Sequence, residues 1–375
     1  MTAQENKNAF KHQINHDVVK KIAKALSEQE KTFESSKFIH LNKKIQNLEL
    51  KARVQLISQS LAQCLPASYP QALKIILKSC GSKDPALMLS GFELWPYTEF
   101  IQTYGLHHFK ISMNALSKLT LLFTAEFAVR PFFVKYEKET YTYLLKLTSS
   151  KNVHHRRWAS EGSRPLLPWG LKLQNAVKNP ERGLLILEKL QFDKELYVRK
   201  SVANHLNDLS KSHPDLVIAT LNRWLKTAPA KHQKSILWIQ HHALRTLIKR
   251  GYKPALKSIG YGNQPKLKIQ SISLNQSTFK IGDTLHFKFK LKSLSQKTQK
   301  LVIDYSLHFR KRNGKTTEKV FKFKKVVLHT NETLVFEKNH NLKKITTRVF
   351  YSGLHCIEIQ INGHKWIKKS WVLSI

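Results

Sequence analysis

The residues best suited to chemistry are a few carboxylates in a chain that otherwise avoids acids. Glu161 lies in HHRRWASEGSRPLLPW (154–169), where five basic or imidazole side chains and two tryptophans surround one acid. Glu126 lies in the apolar stretch LLFTAEFAVRPFF (121–133), and Asp208 lies in HLNDLSK (205–211). Carboxylates in apolar or aromatic surroundings need a partner or a function. Acid–base catalysis and the stabilisation of a developing positive charge are two such functions.

Each of these acids also has a purely structural interpretation. On a helix, Glu126 and Arg130 are spaced i, i+4 and could form a surface pair. Glu161 could pair with Arg157 or Arg164 and close a helix, and composition alone favours this ion-pair interpretation.

Cofactor and metal motifs are missing from the sequence. It contains no GxxxxGK[ST] or GxGxxG string, so nucleotide-driven chemistry is unsupported. Three His-His pairs occur, but adjacent histidines on a helix point about 100° apart and chelate poorly. With no HExxH and no CxxC, we expect no metal site, no nucleotide and no other cofactor.

The net charge is the strongest compositional signal. The 375 residues contain 64 Lys and Arg against 25 Asp and Glu, a formal net charge of +39 spread along the chain. Such a surface favours polyanions, nucleic acid above all. We see neither a lipid-anchor signal nor an apolar leader, and therefore expect a monomeric protein that acts in the cytoplasm and not at a membrane.

Apolar spacing predicts helices from about residue 10 to 250. Segments such as HDVVKKIAKAL, ALSKLTLLFTAEFAVRPFF and DLVIATLNRWLKT carry apolar residues every three or four positions. AEF, SEG, ANH and HAL recur at intervals of about 35 to 43 residues within this region. That period is typical of stacked helical pairs and predicts a HEAT-like α-helical solenoid over residues 1–253.

The pattern changes after residue 253. Residues 254–266 are rich in Gly, Pro and Lys and are predicted to be a linker. In 267–375 apolar residues alternate, as at Leu285, Phe287, Phe289 and Leu291, which predicts about seven strands in an all-β immunoglobulin-like sandwich. From residue 251 onward there are 25 Lys and Arg against 6 Asp and Glu, so this domain is interpreted as binding DNA phosphates.

Four strings in the helical region resemble one protein family. AEFAVRPFF, HHRRWASEGSRPLLPWG, YVRKSVANHLNDLSKSHPDL and HHALRTLIKRG are similar to the AlkC branch of the AlkC/AlkD family of DNA alkylation-repair glycosylases. The resemblance is densest from about 120 to 251. Some members of this branch carry a C-terminal Ig-like domain, in agreement with the strand pattern.

The resemblance implies a monofunctional, metal-free DNA glycosylase. Its substrates would be cationic N-alkylated bases such as 3-methyladenine and 3-methylcytosine in double-stranded DNA, removed in base excision repair without base flipping. The resemblance places catalytic acids at Glu126, Glu161 and Asp208 and an aromatic catalytic residue at Trp169.

Basic and aromatic residues of the same segments are interpreted as the grip on DNA. They are Arg156, Arg157, Trp158, Arg164, Arg199, Lys200, Lys211, Arg245, Lys249 and Arg250. Two interpretations from other classes stay open: a non-catalytic HEAT-repeat scaffold that binds distorted or alkylated duplex, and a helical adaptor for acidic proteins.

Overall fold

The chain folds as a helical region followed by a region of strands. A computed structural model describes residues 9–81, 84–261, 264–345 and 348–375. Among these residues it has sixteen α-helices and then eight strands, which confirms the predicted fold class. The helices are α1 His16–Ser27, α2 Ser35–Leu41, α3 Leu50–Cys64, α4 Tyr69–Ser79, α5 Trp95–Tyr104, α6 Phe109–Leu119, α7 Arg130–Lys135, α8 Glu137–Leu147, α9 Val153–Gly162, α10 Gln174–Lys178, α11 Glu181–Leu190, α12 Leu196–Leu209, α13 Pro214–Thr227, α14 Gln233–Ala243, α15 Arg245–Lys249 and α16 Lys253–Ser258.

Two compact units divide the chain, one up to residue 208 and one from 209 to 375. In the first unit, helices that are close in sequence pack on one another, as α1 on α2, α5 on α6 and α8 on α9. Such local packing is typical of helical-repeat proteins. In the part of the chain that the structure describes, no helix has the length and apolar character needed to cross a membrane.

One predicted helix is interrupted at a site residue. The apolar spacing predicted a continuous helix over 115–133, but α6 ends at Leu119 and α7 begins at Arg130. Glu126 therefore lies in the connecting turns, where its backbone N–H donates to Thr124 Oγ1 (3.3 Å). Pro131 suits the first turn of a new helix and cannot supply the N–H that a continuous helix would need.

The segment predicted to be a linker contains a short helix. In α16, Ala255 and Leu256 are buried, and the helix packs on α13 and α15 within the second unit. The apolar pair in KPALKS explains this burial, which the Gly, Pro and Lys content of 254–266 concealed. The first strand begins at Leu267. The division at 254–266 stays a prediction.

Two sheets form the strand region. The strands are β1 Leu267–Leu274, β2 Thr278–Lys280, β3 Thr284–Ser293, β4 Gln299–Arg310, β5 Thr316–Leu328, β6 Thr333–Asn341, β7 Gly353–Ile361 and β8 His364–Ser374. One sheet has the order β1-β3-β6 and the other β2-β8-β7-β4-β5, and every pair is antiparallel except β2 with β8.

The predicted alternation places the sandwich core correctly. Leu285, Phe287, Phe289 and Leu291 of β3 are buried in one cluster with residues of β4, β7 and β8. Their neighbours Lys288, Lys290 and Lys292 are exposed on the same strand. The predicted turn at 312–314 joins β4 to β5, with Gly314 at φ +75° as such hairpins require.

Candidate active site

Arg157 joins two of the predicted acids in the first unit. Its guanidinium, carried by α9, contacts Glu126 Oε2, donates to Thr124 Oγ1 (2.9 Å) and lies 3.6 Å from Glu161 Oε1. The same guanidinium stands 5.2 Å from the ring centre of Tyr197. Burial lowers the pKa of Arg157, but the charges of Glu126 and Glu161 outweigh it and the net shift is upward. Arg157 therefore remains protonated between the two carboxylates.

Both carboxylate oxygens of Glu161 accept hydrogen bonds. Arg164 donates to Oε1 (2.6 Å), and Ser201 Oγ donates to Oε2 (2.6 Å). Arg164 also donates from Nε to Asp208 Oδ2 (2.9 Å), so it links the second and third acids. The arrangement brings Glu126, Glu161 and Asp208 into one network with two guanidinium groups. The predicted pairing of Glu161 with Arg157 and Arg164 is present within this larger network.

Glu126 is the acid best placed to act on a bound molecule. Its side chain is 11% exposed, against 7% for Glu161 and 4% for Asp208. Among the described residues, Oε1 of Glu126 accepts no hydrogen bond, whereas Oε2 accepts from Thr124 and Arg157. Thr124, Arg157 and Tyr197 line a cleft of about 180 Å³ beside it. Glu126 therefore keeps one carboxylate oxygen without a protein partner among the described residues, and two residues that contact the carboxylate, Thr124 and Arg157, line the cleft.

A row of polar side chains on one face of α12 contacts the network. Only its last residue, Asp208, was predicted from the sequence to be catalytic. Tyr197, Ser201, His205 and Asp208 recur at helical spacing on this helix. His205 is buried and its Nδ1 donates to the carbonyl of Ser160 (3.1 Å), next to Glu161. Burial and nearby Arg164 lower the pKa of His205 to about 3, so it is neutral at physiological pH. The spacing of three and four residues between these polar side chains was the feature of the sequence that could have predicted their common face.

Arg130 has a structural role that the helical spacing did not reveal. It does not pair with Glu126 on a helix surface, because it is fully buried and donates to backbone carbonyls of the segment after α9. Those acceptors are Gly162 (3.1 Å), Arg164 (2.9 Å), Pro165 (3.4 Å) and Leu171. Burial, and then repulsion by Arg164, lower its pKa to about 10, so it stays protonated at neutral pH.

Trp169 occupies a strained position in a tight turn. Gly170 N donates to Leu167 O (3.2 Å), which closes a turn with Pro168 second and Trp169 third. Trp169 has φ +64°, a value that Gly adopts freely and that strains a bulky side chain. Lys51 Nζ donates to the Trp169 carbonyl, and the indole is 56% exposed. Strained backbone of this kind concentrates at functional sites.

Trp169 lies at a different cleft from the one beside Glu126. Its cleft is lined by residues of α3, α5 and α7 and by Phe127, the neighbour of Glu126. No hydrogen bond or ring contact between described residues joins Trp169 to the three acids, and its ring packs edge-on against Phe10 (6.1 Å). The structure therefore gathers three of the four predicted catalytic residues and leaves Trp169 at an adjoining surface.

Comparisons with known proteins agree with this geometry. Residues 116–245, which contain the acids, match the model of the "DNA alkylation repair enzyme" family, and residues 268–375 match that of "Uncharacterised protein YhaZ, C-terminal Ig-like domain". The chain is 39% identical to the uncharacterized protein YhaZ of Bacillus subtilis over 84% of this chain and 85% of that protein.

A solved structure matches nearly the whole chain. The alkylpurine DNA glycosylase AlkC of Pseudomonas fluorescens, bound to DNA containing an abasic site analogue, superposes with a TM-score of 0.91 at 33% identity. The match covers 98% of this chain and 100% of that one. The chain belongs to the AlkC branch of the DNA alkylation repair enzymes. Both the fold and the Ig-like domain expected from the resemblance are thereby confirmed.

Several arginines predicted to grip DNA in this AlkC-branch chain have protein partners. Arg156 donates to both carboxylate oxygens of Asp193 (2.6 and 3.1 Å), and Arg199 donates to the carbonyls of Asp193 and Lys194. Arg245 donates to the carbonyl of His242 (2.6 Å). Together with Arg157 and Arg164, these arginines hold the fold and the acids, and a role for any of them on phosphate stays a prediction.

The remaining predicted contacts divide between exposed cations and one buried ring. Lys200, Lys211 and Arg250 are exposed, and Lys249 is partly exposed. Trp158 is fully buried, with Tyr143 packed edge-on against it at 6.4 Å. A side chain with no exposed surface does not touch a duplex, so the structure corrects the assignment of Trp158 to DNA binding. It belongs to the core, the ordinary place for a tryptophan on a helix.

Proposed function

We propose that this protein is a monofunctional DNA glycosylase that hydrolyses the N-glycosidic bond of cationic alkylated bases, 3-methyladenine and 3-methylcytosine among them. The observation that carries the proposal is the network of Glu126, Glu161 and Asp208, in which Oε1 of Glu126 accepts no hydrogen bond from the described residues. Support comes also from the matched AlkC, whose described ligand is DNA with an abasic site analogue, the kind of product that base removal leaves.

The chemistry of the leaving base explains why a site of this kind needs carboxylates and does not need a pocket for the base. A base alkylated at N3 already carries positive charge and leaves without a general acid, so the barrier lies in stabilising an oxocarbenium-like sugar and supplying water. Fixed carboxylates oppose the developing charge. Removal of one oxyanion-hole donor, which acts in the same way on charge of the opposite sign, costs about 10²–10³ in rate. A neutral base gains little from this site, so selectivity for cationic lesions needs no base flipping.

The acids divide the work according to their partners. Glu126 orients the water through Oε1, because this oxygen accepts no hydrogen bond from the described residues while Oε2 accepts from Thr124 and Arg157. Glu161 supplies fixed negative charge, since Arg164 and Ser201 occupy both its oxygens. Asp208 acts through Arg164 and thereby positions Glu161.

Trp169 supplies an aromatic face to the cationic base or sugar. A desolvated cation–π contact is worth about 2 kcal/mol, and the indole is exposed before DNA binds. The lesion in the DNA substrate would lie between Trp169 and the acids. Exposed lysines and arginines of both units would hold its phosphates, with an affinity that falls steeply with salt. The site of action would be the bacterial cytoplasm, which holds the chromosome.

A non-catalytic DNA-binding scaffold is the second candidate. The net charge of +39 and the lysine-bearing sandwich favour it as much as they favour an enzyme. Three largely buried carboxylates disfavour it, because acids next to phosphates weaken a pure phosphate binder.

One assay separates the two candidates. Single-stranded DNA is methylated by dimethyl sulfate, so that cytosine N3 is accessible, and is then annealed to its complement. The protein is incubated with this duplex in the presence of a chelator, and the released bases are identified by chromatography and mass spectrometry. We expect 3-methyladenine and 3-methylcytosine as free bases and intact strands until alkali is added. Tight binding without release of any base would leave the scaffold as the function.

Glu161→Gln is the variant that tests the site. We expect it to bind DNA normally and to release 3-methyladenine at least tenfold more slowly, about 1.4 kcal/mol in the barrier. Glu139→Gln, which neutralises an exposed carboxylate on α8, is the matched control and should release base at the wild-type rate. Unchanged release by Glu161→Gln would remove Glu161 from the mechanism.

A further inference from the structure

The cleft beside Trp169 contains an acid, Glu99, and an aromatic pair, Trp95 and Phe127, that the reaction proposed above does not use. It measures about 170 Å³, smaller than the roughly 300–1,000 Å³ of sites for drug-sized ligands. Its walls include the aromatic rings of Trp95, Phe127 and Trp169, and its polar groups include Glu99 and Gln102 of α5. A single planar ring system is the size and character of ligand that suits such a cleft.

The aromatic walls offer ring faces at fixed positions. Trp95 is buried and stacks on Phe127 with ring centres 5.2 Å apart and an interplanar angle of 17°. Trp169 closes the other side from its strained turn, held by Lys51 through its backbone carbonyl. Stacking on an aromatic ring favours the binding of every nucleobase, because each base has a π-face.

Glu99 gives the cleft a hydrogen-bond acceptor for an amino group. Gln102 Nε2 donates to Glu99 Oε2 (2.6 Å), while Oε1 of Glu99 accepts no hydrogen bond from the described residues. Burial raises the pKa of Glu99, which is the behaviour of a carboxyl group turned away from bulk water. With one carboxylate and the ammonium group of Lys51 on its wall, the cleft does not favour a phosphate.

We propose that the cleft between α3, α5 and the Trp169 turn binds one nucleobase that carries an exocyclic amino group. The ring stacks on Trp169 and the amino group donates to Glu99. Two sources supply this chemistry: the free base released by the reaction, and the base left unpaired opposite the abasic site. The identity of the base rests on the proposed function, but the binding site itself does not.

Direct binding measurements test the site without any turnover. Free 3-methyladenine, adenine and uracil are each titrated into the intact protein and followed by saturation-transfer NMR of the ligand. We expect saturable binding of the two amino-bearing bases and at least tenfold weaker binding of uracil. Glu99→Gln, which keeps the acceptor for Gln102 but removes the charge, should weaken adenine binding at least tenfold. Glu139→Gln should not change it.

A second arm distinguishes the unpaired base from the free base. The protein is mixed with a duplex that carries 2-aminopurine opposite an abasic-site analogue. Stacking of the 2-aminopurine on Trp169 should lower the 2-aminopurine fluorescence more with the wild type than with Glu99→Gln. Binding in either arm that depends on Glu99 supports the site and names its source. If neither arm shows binding that depends on Glu99, the proposed site is wrong, whatever the glycosylase assay shows.

Discussion

Ser201 on α12 donates a 2.6 Å hydrogen bond to Glu161 on α9. The serine is buried and its Oγ also lies 2.9 Å from Ser160 Oγ, so the carboxylate is approached by a hydroxyl on one oxygen and by Arg164 on the other. A hydrogen bond to a charged group is worth about 1.5–3 kcal/mol. The orientation of Glu161 is therefore set by a neighbour that has no direct role in the proposed chemistry.

Ser201→Ala tests that orientation. We expect base release to fall about tenfold with little change in DNA affinity, because the carboxylate loses a fixed donor and can rotate. Ser201→Thr keeps the hydroxyl and should recover most of the rate. Single-turnover excision at saturating protein measures the effect, with exposed Ser212→Ala as the control. Equal loss in the Ala and Thr variants would indicate a packing defect instead.

Variants of Trp169 distinguish the effect of backbone strain from the effect of the aromatic contact. Trp169→Gly and Trp169→Ala both remove the indole, but only Gly is relaxed at φ +64°. We expect the Gly variant to have a free energy of unfolding about 1 kcal/mol above that of the Ala variant. Both should lose at least tenfold in base release, and Trp169→Phe should retain part of it. Wild-type release by the Gly variant would show that the aromatic face is dispensable.

Exposed lysines on β5 test the role of the sandwich in DNA binding. Deleting the whole sandwich is a poor test, because Gly251 and Gly363 have their backbones in contact and Gln360 donates to the carbonyl of Lys249 (3.2 Å). The double replacement of Lys324 and Lys325 by Gln leaves these contacts intact.

We expect that variant to bind duplex more weakly and to reduce the salt slope of log affinity by about 2, close to 0.9 per lost phosphate contact. Replacing exposed Lys20 and Lys24 of α1 by Gln is the matched change elsewhere on the chain. An identical salt slope for the two double variants would mean that the β5 lysines have no specific role, because loss of charge elsewhere on the chain would weaken DNA binding equally.

Asp304 predicts a pH dependence for the second unit. This β4 carboxyl is buried beside Lys249, Lys322 and Lys325, and burial raises its pKa to about 6 against the lysines' opposing effect. Because the folded form binds the proton more tightly than the unfolded chain, stability falls as pH rises from about 4 through 6 and is then constant. The total loss is on the order of 2–3 kcal/mol.

Asp304→Asn should remove this dependence. We expect it to be more stable than the wild type at pH 8 and no more stable at pH 4, as measured by urea unfolding followed by a probe confined to the sandwich, such as the indole NMR signal of Trp371. A stability difference that is the same at both pH values would mean that Asp304 is ionised throughout this range.

The sequence predicted elements better than it predicted turns. Alternation placed the β3 and β4 core correctly because a strand has one strong period and one buried face. The break at 120–129 was missed because its residues are as apolar as those of the helices beside it, and Glu126 was consequently assigned to a helix.

Partners of the site could be predicted only in part. The ion pairs of Glu161 with Arg157 and Arg164 follow from helical spacing. By contrast, Arg157 reaches Glu126 and Arg164 reaches Asp208 across elements far apart in the chain. Such pairings depend on tertiary packing, which local periodicity does not encode.

The buried guanidinium of Arg130 has a consequence for binding thermodynamics. By holding carbonyls at four points between Gly162 and Leu171, it orders the segment that carries Trp169 before any DNA arrives. Immobilising a loop residue costs roughly 1–2 kcal/mol of conformational entropy, and here that cost is met during folding. Association with DNA then carries no further entropic cost for ordering this segment, so more of the binding free energy appears as affinity.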